Sequence, residues 1–467
     1  MRTGSLLIVV LLAACDSPFR PPSPTSGGPT GPARTLTLRP DSARLYVDDT
    51  LRLLVSVRDA QGQLLVTPVT WSVDDSNVVT VDPNGLAIAV DSGTTMVRAT
   101  SEGLKDSTTL RVATVTYQSV ASGGRHSCAT GINQRIYCWG ADDDDQLGVV
   151  PHVLERPAPT GIAAGAVFSF LAAGDAHTCA TGADRLMRCW GNNDHGQLGL
   201  GSESGTGLPT GLVSPFDFLE VAAGGNHTCA STINGTVVCW GRNASGELGL
   251  GDTTTTPTPT AVGGGRVFPG AVAAGDAHTC ATTANGTAYC WGRNTFGQLG
   301  DSQTIQQTLP DSVHGVPVDL LAAGGDHTCG VRSGITFCWG ANDRGQSGTG
   351  LPDSAILVPT SLSVPLNIVS VTAGSDFTCG VTGTGDAYCW GANDRGQLGD
   401  STGTDRPAPT LVKGGLHFQS LAAGTQHVCG VTVGGLIYCW GDGTSGQLGV
   451  SPPQNLSAFP IRIPLPN

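Results

Sequence analysis

His177-Thr178-Cys179-Ala180, a short polar turn, then Cys189-Trp190-Gly191-Asn192-Asn193-Asp194-His195-Gly196-Gln197-Leu198-Gly199: this stretch returns with small changes along the second part of the chain. Its first cysteine recurs as Cys128, Cys179, Cys229, Cys280, Cys329, Cys379 and Cys429, at spacings of 51, 50, 51, 49, 50 and 50 residues. Seven copies at so even a period mark a repeat architecture. Each copy opens on a strand ending in small residues, as in Val221-Ala222-Ala223-Gly224, and continues into a hairpin carrying two cysteines. It then turns at Trp-Gly and at Gly-Gln-Leu-Gly and closes through a variable polar loop into a Pro-containing strand. Four short strands form a small sheet that cannot cover both its faces. Seven such sheets arranged radially cover one another, which predicts an all-β, seven-bladed propeller over 116–467. Its repeats are expected at about 116–166, 167–215, 216–267, 268–316, 317–366, 367–416 and 417–467.

The 467 residues include 67 Gly and 29 Pro, a usage that fits short strands joined by turns. With 24 Lys and Arg against 37 Asp and Glu, the formal charge is −13. From residue 116 onward the count is 14 basic against 26 acidic. Phosphate binding needs a basic surface, so the composition argues against a nucleic-acid partner.

Met1-Arg2 followed by the apolar run Leu6 to Leu12 has the length of a secretory signal and is too short for a permanent membrane span. Leu12-Ala13-Ala14-Cys15 resembles the lipobox of bacterial lipoproteins, which implies a signal peptide over 1–15, lipidation of Cys15 and an extracytoplasmic chain anchored to the cell envelope. The alternative is a plain secretory signal with an incidental cysteine. Residues 16–33 are rich in Pro, Gly, Ser and Thr and read as a flexible tether. From 34 to 115 short apolar runs alternate with turn signals such as Asp82-Pro83-Asn84-Gly85, predicting a β-sandwich. The order Trp71-Ser72-Val73, Val81-Asp82, Asn84-Gly85-Leu86 resembles the bacterial immunoglobulin-like domains of group 2, which implies a spacer or adhesive module. It contains no cysteine, so Trp71 is expected in a core without an inter-sheet disulfide.

The repeat itself, His-Thr-Cys-Ala followed by Cys-Trp-Gly-x-Asn-x-x-Gly-Gln-Leu-Gly, resembles that of the regulator of chromosome condensation family over about three quarters of the chain. The resemblance implies seven blades and, through the nuclear member, nucleotide exchange on a small GTPase, which conflicts with an export signal. The departures are local: Asp145 replaces a glycine, Glu247 the glutamine, Ser347 the leucine and Phe377 the histidine.

Fourteen cysteines form seven pairs, Cys128/Cys138, Cys179/Cys189, Cys229/Cys239, Cys280/Cys290, Cys329/Cys338, Cys379/Cys389 and Cys429/Cys439, each flanking a hairpin turn. Residues opposite one another on antiparallel strands lie about 4.5–5.5 Å apart, within disulfide range, and export supplies the oxidant. Metal binding by His177, Cys179 and Cys189 is the sharper alternative, but Phe377 stands in for the histidine while Cys379 and Cys389 remain. The histidines His126, His177, His227, His278, His327 and His427 are therefore expected to be structural and bonded to backbone. Trp139, Trp190, Trp240, Trp291, Trp339, Trp390 and Trp440 occur once per copy and read as core rather than sugar platforms. The run Asp142 to Asp145 lacks the spacing of a calcium loop and reads as a solvated turn. No catalytic constellation, metal or cofactor is expected. An enzyme would need non-repeating His152, Glu155, Glu220 or His314 to converge. The expectation is a monomeric binding protein for a protein or glycan, recognising it through the variable loops Ser202 to Leu208, Asp252 to Thr260, Ser302 to Asp311 and Pro352 to Val358.

Overall fold

The computed structural model describes residues 32–464 apart from 34, 48, 114, 163–166 and 352. The expected signal, Cys15 and most of the tether lie outside the described residues. Two compact units divide between Val115 and Thr116, and among the described residues every regular element is a strand.

The first unit is a sandwich. Thr35–Arg39 pairs with Leu54–Arg58, which pairs with Leu64–Leu65. Opposite them, Ser42–Tyr46 runs parallel to Leu104–Ala113, followed by Gly93–Ser101 and Thr70–Val73. Alternation turns Leu38, Leu45, Val57, Val79, Val97 and Leu110 inward. Trp71 packs half-buried against this cluster over Gly85, where φ is +80° and a Cβ would stand 2.7 Å from the indole. Glycine is required there both by the turn and by the ring above it.

In the second unit each sheet is built from four consecutive strands of one repeat, as in Phe218–Ala223, His227–Thr232, Val237–Gly241 and Thr256–Ala261. The first sheet starts at Tyr117 and the seventh ends at Arg462. Seven glycines at the ends of the inner strands, Gly123 through Gly424, line one cavity of about 70 Å³, so the sheets stand around a common axis. The seventh sheet packs directly on the first without exchanging a strand: the Trp139 indole N–H donates to the Gln447 carbonyl at 3.0 Å, and the Tyr117 amide to the Gly435 carbonyl at 2.8 Å. Small residues in the inner strands are there because of close approach. A Cβ on Gly174 would lie 2.5 Å from the Gly224 carbonyl oxygen and closer still to the His177 ring. Each outer strand carries a proline, such as Pro209, Pro310, Pro359 or Pro460, which removes an amide from an otherwise pairable edge.

Antiparallel order puts the cysteine hairpins and the connections between sheets on one face, and the inner turns and Gly-Gln-Leu-Gly corners on the other. Charge is divided unevenly between the two. Of the 26 acidic residues after residue 115, Asp184, Asp217, Glu220, Asp311, Asp319 and Asp386 fall toward the hairpin face, leaving 20 for the corner face. The 14 basic residues split seven and seven.

Candidate functional site

The repeated polar residues form a chain of hydrogen bonds from one sheet to the next. The Thr228 hydroxyl donates to the Gln197 carbonyl at 2.8 Å, and the Trp240 indole N–H donates to the same oxygen at 2.9 Å. With its proton so used, Thr228 accepts from His177 Nε2–H of the preceding sheet at 2.9 Å, which fixes the Nε2–H tautomer. The same link joins His126 to Thr178, His227 to Thr279, His278 to Thr328 and His327 to Thr378. His427 closes the ring onto Ser127 at 2.7 Å. The histidines are thus structural, but their partner is the hydroxyl of the neighbouring sheet, not the backbone. That partner lies about fifty residues away, beyond a single repeat. All six imidazoles are fully buried with Nδ1 unpartnered. Burial pushes them down, to about 3 for His126, His227 and His278 and about 4 for His177, His327 and His427.

The sixth interface is the exception, and it is consistent on both sides. Phe377 stands in for the histidine, and the residue facing it in the seventh sheet, Val428, stands in for the threonine; both are fully buried in one apolar cluster. Removing both partners of a buried bond costs little, whereas removing one leaves the other unsatisfied. Thr228→Val alone is therefore expected to cost about 2 kcal/mol. The double variant His177→Phe/Thr228→Val, which copies the sixth interface, is expected to recover at least half of the summed single losses. Urea midpoints of the four proteins measure this; strictly additive losses would contradict the pairing.

The cysteines are paired within each hairpin. The bridges are Cys128–Cys138, Cys179–Cys189, Cys229–Cys239, Cys280–Cys290, Cys329–Cys338, Cys379–Cys389 and Cys429–Cys439. Their spacing corrects the expectation: the Cα atoms of every pair stand 4.1 Å apart, closer than the 4.5–5.5 Å inferred for facing residues, because the bridge draws the two strands together. All fourteen cysteines are fully buried. The bridges pack against the tryptophan of the next sheet: Cys128 and Cys138 against Trp190, Cys179 and Cys189 against Trp240, Cys229 and Cys239 against Trp291. The series continues with Cys280 and Cys290 against Trp339, Cys329 and Cys338 against Trp390, and Cys379 and Cys389 against Trp440. In the last bridge, Cys439 faces Cys429 across the hairpin, and the Cys429 sulfur lies 3.5 Å from the Ser127 hydroxyl of the first sheet. All seven tryptophans are fully buried, so they are core between sheets.

The corner turns hold their tips in one geometry. In six of the seven sheets the glutamine side chain of the corner accepts the amide of the residue two positions earlier: Asp144, His195, Phe296, Arg344, Arg395 and Ser445 bond to Gln146, Gln197, Gln298, Gln346, Gln397 and Gln447 at 2.8–2.9 Å. Glu247 does the same for Ser245 at 2.6 Å, and Arg242 stands 3.8 Å from its other oxygen. Asp145, in place of the corner glycine, takes φ +61° and bonds His152 Nδ1 at 2.6 Å. Ser347 is buried where other copies have leucine, its hydroxyl donating to the Ala341 carbonyl at 3.3 Å.

On the corner face the channel opens into a cavity of about 560 Å³ lined by Arg125, Asp175, Asp276, Arg395, Gln426 and Asp442 among others. Crowding by the walls raises Asp276 to about 7, with Asp175, Asp326 and Asp376 adding like charge and Arg293 opposing them. Asp175 is raised by the same burial. On the hairpin face the channel is a funnel of about 250 Å³ walled by the Ala, Val and Leu side chains of the inner strands. The four candidate catalytic residues are not brought together. His152 and Glu155 belong to the corner loop and outer strand of the first sheet, Glu220 to the inner strand of the third, and His314 follows the outer strand of the fourth. Within Asp142 to Asp145, Asp142 is buried and accepts the Leu147 amide, while Asp143 pairs with Arg125, so the run is built into its turn.

The family model for the RCC1-like domain matches residues 213–467, more than half of the chain. The chain belongs to the RCC1-like domain family. Models of the regulator of chromosome condensation repeat match residues 168–197 and 189–231 of this RCC1-like chain, and that of the group 2 bacterial Ig-like domain matches 32–112. The E3 ubiquitin-protein ligase HERC2 of Homo sapiens is 31% identical over 336 residues, covering 70% of this chain and 6% of the ligase. The ultraviolet-B receptor UVR8 of Arabidopsis thaliana is 33% identical over 304 residues, covering 63% of this chain and 58% of the receptor. The RCC1-like chain therefore spans only part of each of these relatives. Among solved structures, yeast RCC1 (Prp20) bound to Kap60 aligns with a TM-score of 0.64 at 25% identity, over 71% of this chain and 83% of that one. Human WBSCR16 aligns with the same TM-score at 22% identity, over 71% and 95%, a likeness of fold.

Proposed function

We propose that this RCC1-like chain is a non-catalytic, monomeric binding protein of the bacterial cell envelope, tethered by a lipid on Cys15 and recognising a protein with its propeller. One observation carries the reading. The polar side chains shared by the repeats are taken up in bonds between and within sheets, so the ring is a rigid frame and chemical individuality is left to side chains that do not repeat. The yeast RCC1 structure with Kap60 bound supports a protein as ligand, with a glycan as the alternative. The immunoglobulin-like module then serves as spacer. The ligase activity named for HERC2 is not carried over, because this chain covers so little of that protein.

Expression of the tagged full chain in a bacterium that processes lipoproteins tests the proposal. The chain is expected in the membrane fraction carrying a fatty acid, both lost in Cys15→Ser, and to co-purify with one envelope protein in a fixed ratio. Recovery without any partner, together with turnover of a glycan or peptide substrate, would overturn it in favour of an enzyme.

A further inference from the structure

The seven corner tips form a set with an unusual property: their backbones are held alike and their side chains differ. The same side-chain clamp fixes the amide of each tip, yet the clamped residues are Asp144, His195, Ser245, Phe296, Arg344, Arg395 and Ser445. An acidic, an imidazole, an aromatic, two guanidinium and two hydroxyl side chains are presented from equivalent points of one ring. Packing does not dictate this variety at His195, Ser245, Phe296 and Ser445, whereas Asp144 accepts from Asn192 of the next sheet, Arg344 pairs with Asp394 and Asp405, and Arg395 stands 4.0 Å from Asp442. Phe296 and Arg395 are exposed and the others half-buried, whereas the framework residues beside them, such as Gln298 and Leu299, are buried and repeated. Inside this ring lies a second one, the inner turns around the channel mouth, whose two turn residues also change from copy to copy: Gly124-Arg125, Asp175-Ala176, Gly225-Asn226, Asp276-Ala277, Gly325-Asp326, Ser375-Asp376 and Thr425-Gln426. On the hairpin face the frame is not constant. The bridged hairpin of the fifth sheet closes 9 residues where the others close 10.

We propose that the corner face is the recognition face, that the clamped tips and the mouth residues are its specificity-determining side chains, and that the partner is a protein presenting a cationic surface. The inference rests on the binding reading above and names its surface and chemistry. It differs from the expectation drawn from the loops alone, because rigidity and variety coincide at the tips. A preorganised side chain loses little entropy on binding, so a fixed frame with free choice of side chain makes the most of each contact. The partner's charge follows from the face itself: 20 acidic residues, of which all but the buried Asp142, Glu247, Asp301, Asp400 and Asp442 lie outside the core, stand against seven basic, while the hairpin face has six against seven. Complementary charge steers encounter and rejects wrong partners. Asp175, Asp276, Arg125 and Arg395 around the mouth cavity offer both signs within one recess, room for a lysine or arginine side chain to enter between carboxylates.

Selection of a displayed random-peptide library on the folded full chain tests this. Enriched peptides are expected to be rich in Lys and Arg and to weaken as salt is raised. They are expected to lose about tenfold or more in affinity for His195→Ala, Phe296→Ala or Asp276→Ser, and to bind Leu219→Ala and Val369→Ala on the hairpin face as the parent does. Unchanged melting temperatures separate lost contacts from lost fold. Enriched peptides that are neutral or acidic, or that ignore the corner-face changes, would overturn the inference while leaving the binding reading in place. No enrichment at all would overturn both.

Discussion

Between about pH 6.5 and pH 4 the propeller is expected to lose most of its stability. The six buried imidazoles titrate near 6.5 when unfolded and are held at about 3 to 4 in the native ring by burial. A base whose pKa falls on folding contributes its full stability above the unfolded value. That contribution is lost as pH drops through 6.5 toward the native one, because the unfolded chain takes up the protons. Each histidine then costs about 1.4 kcal/mol per pH unit, so at pH 5 six of them cost on the order of 12 kcal/mol, comparable with the whole stability of a typical domain. Asp276, raised to about 7, acts in the opposite direction, but its carboxylate faces the water of the channel mouth and screening reduces its effect. Urea titrations followed by tryptophan fluorescence at pH 7.5 and pH 5 measure the difference. Copying the Phe377/Val428 pair into one further interface should flatten the pH dependence by about one sixth. An unchanged midpoint between the two pH values would contradict the buried neutral ring.

Reduction is the second large effect. Each bridge closes a loop of about ten residues, worth about 2.7 kcal/mol by the chain-entropy model, so seven together approach 19 kcal/mol. That exceeds the stability of an ordinary domain, and the reduced chain is expected not to refold into the propeller. The native protein should resist the same reductant, because both cysteines of every pair are fully buried between sheets. Thiol labelling before and after urea, with reductant present throughout, reads both halves. A reduced chain that regains native tryptophan fluorescence would show that the bridges are dispensable.

The architecture was legible because its determinants recur within fifty residues. The cysteine period, the alternation around Trp-Gly and the small residues before each turn all act inside one sheet or against an identical neighbour. The bond network was not legible at that scale, because His177 finds its acceptor on Thr228 and Gln197 supplies the carbonyl that holds both Thr228 and Trp240. A signal for it was present: the copy that loses its histidine at Phe377 is followed by the copy that loses its threonine at Val428. Reading each repeat alone makes Phe377 an argument against metal. Reading adjacent repeats together makes it half of a pair. The candidate site was less legible still. Gly-Gln-Leu-Gly reads as a turn, and only the structure shows that its glutamine clamps the variable tip two residues before it.

The shared histidines are neutral and locked between sheets, five of them as Nε2–H donors to a threonine whose own proton is held by a backbone carbonyl. Nitrogen-resolved NMR of the imidazole groups of the intact protein tests it at pH 5.5. Six N–H resonances protected from solvent exchange and showing no titration are expected from the buried imidazoles. Six ring-building histidines that exchange freely and titrate near 6.5 would contradict it.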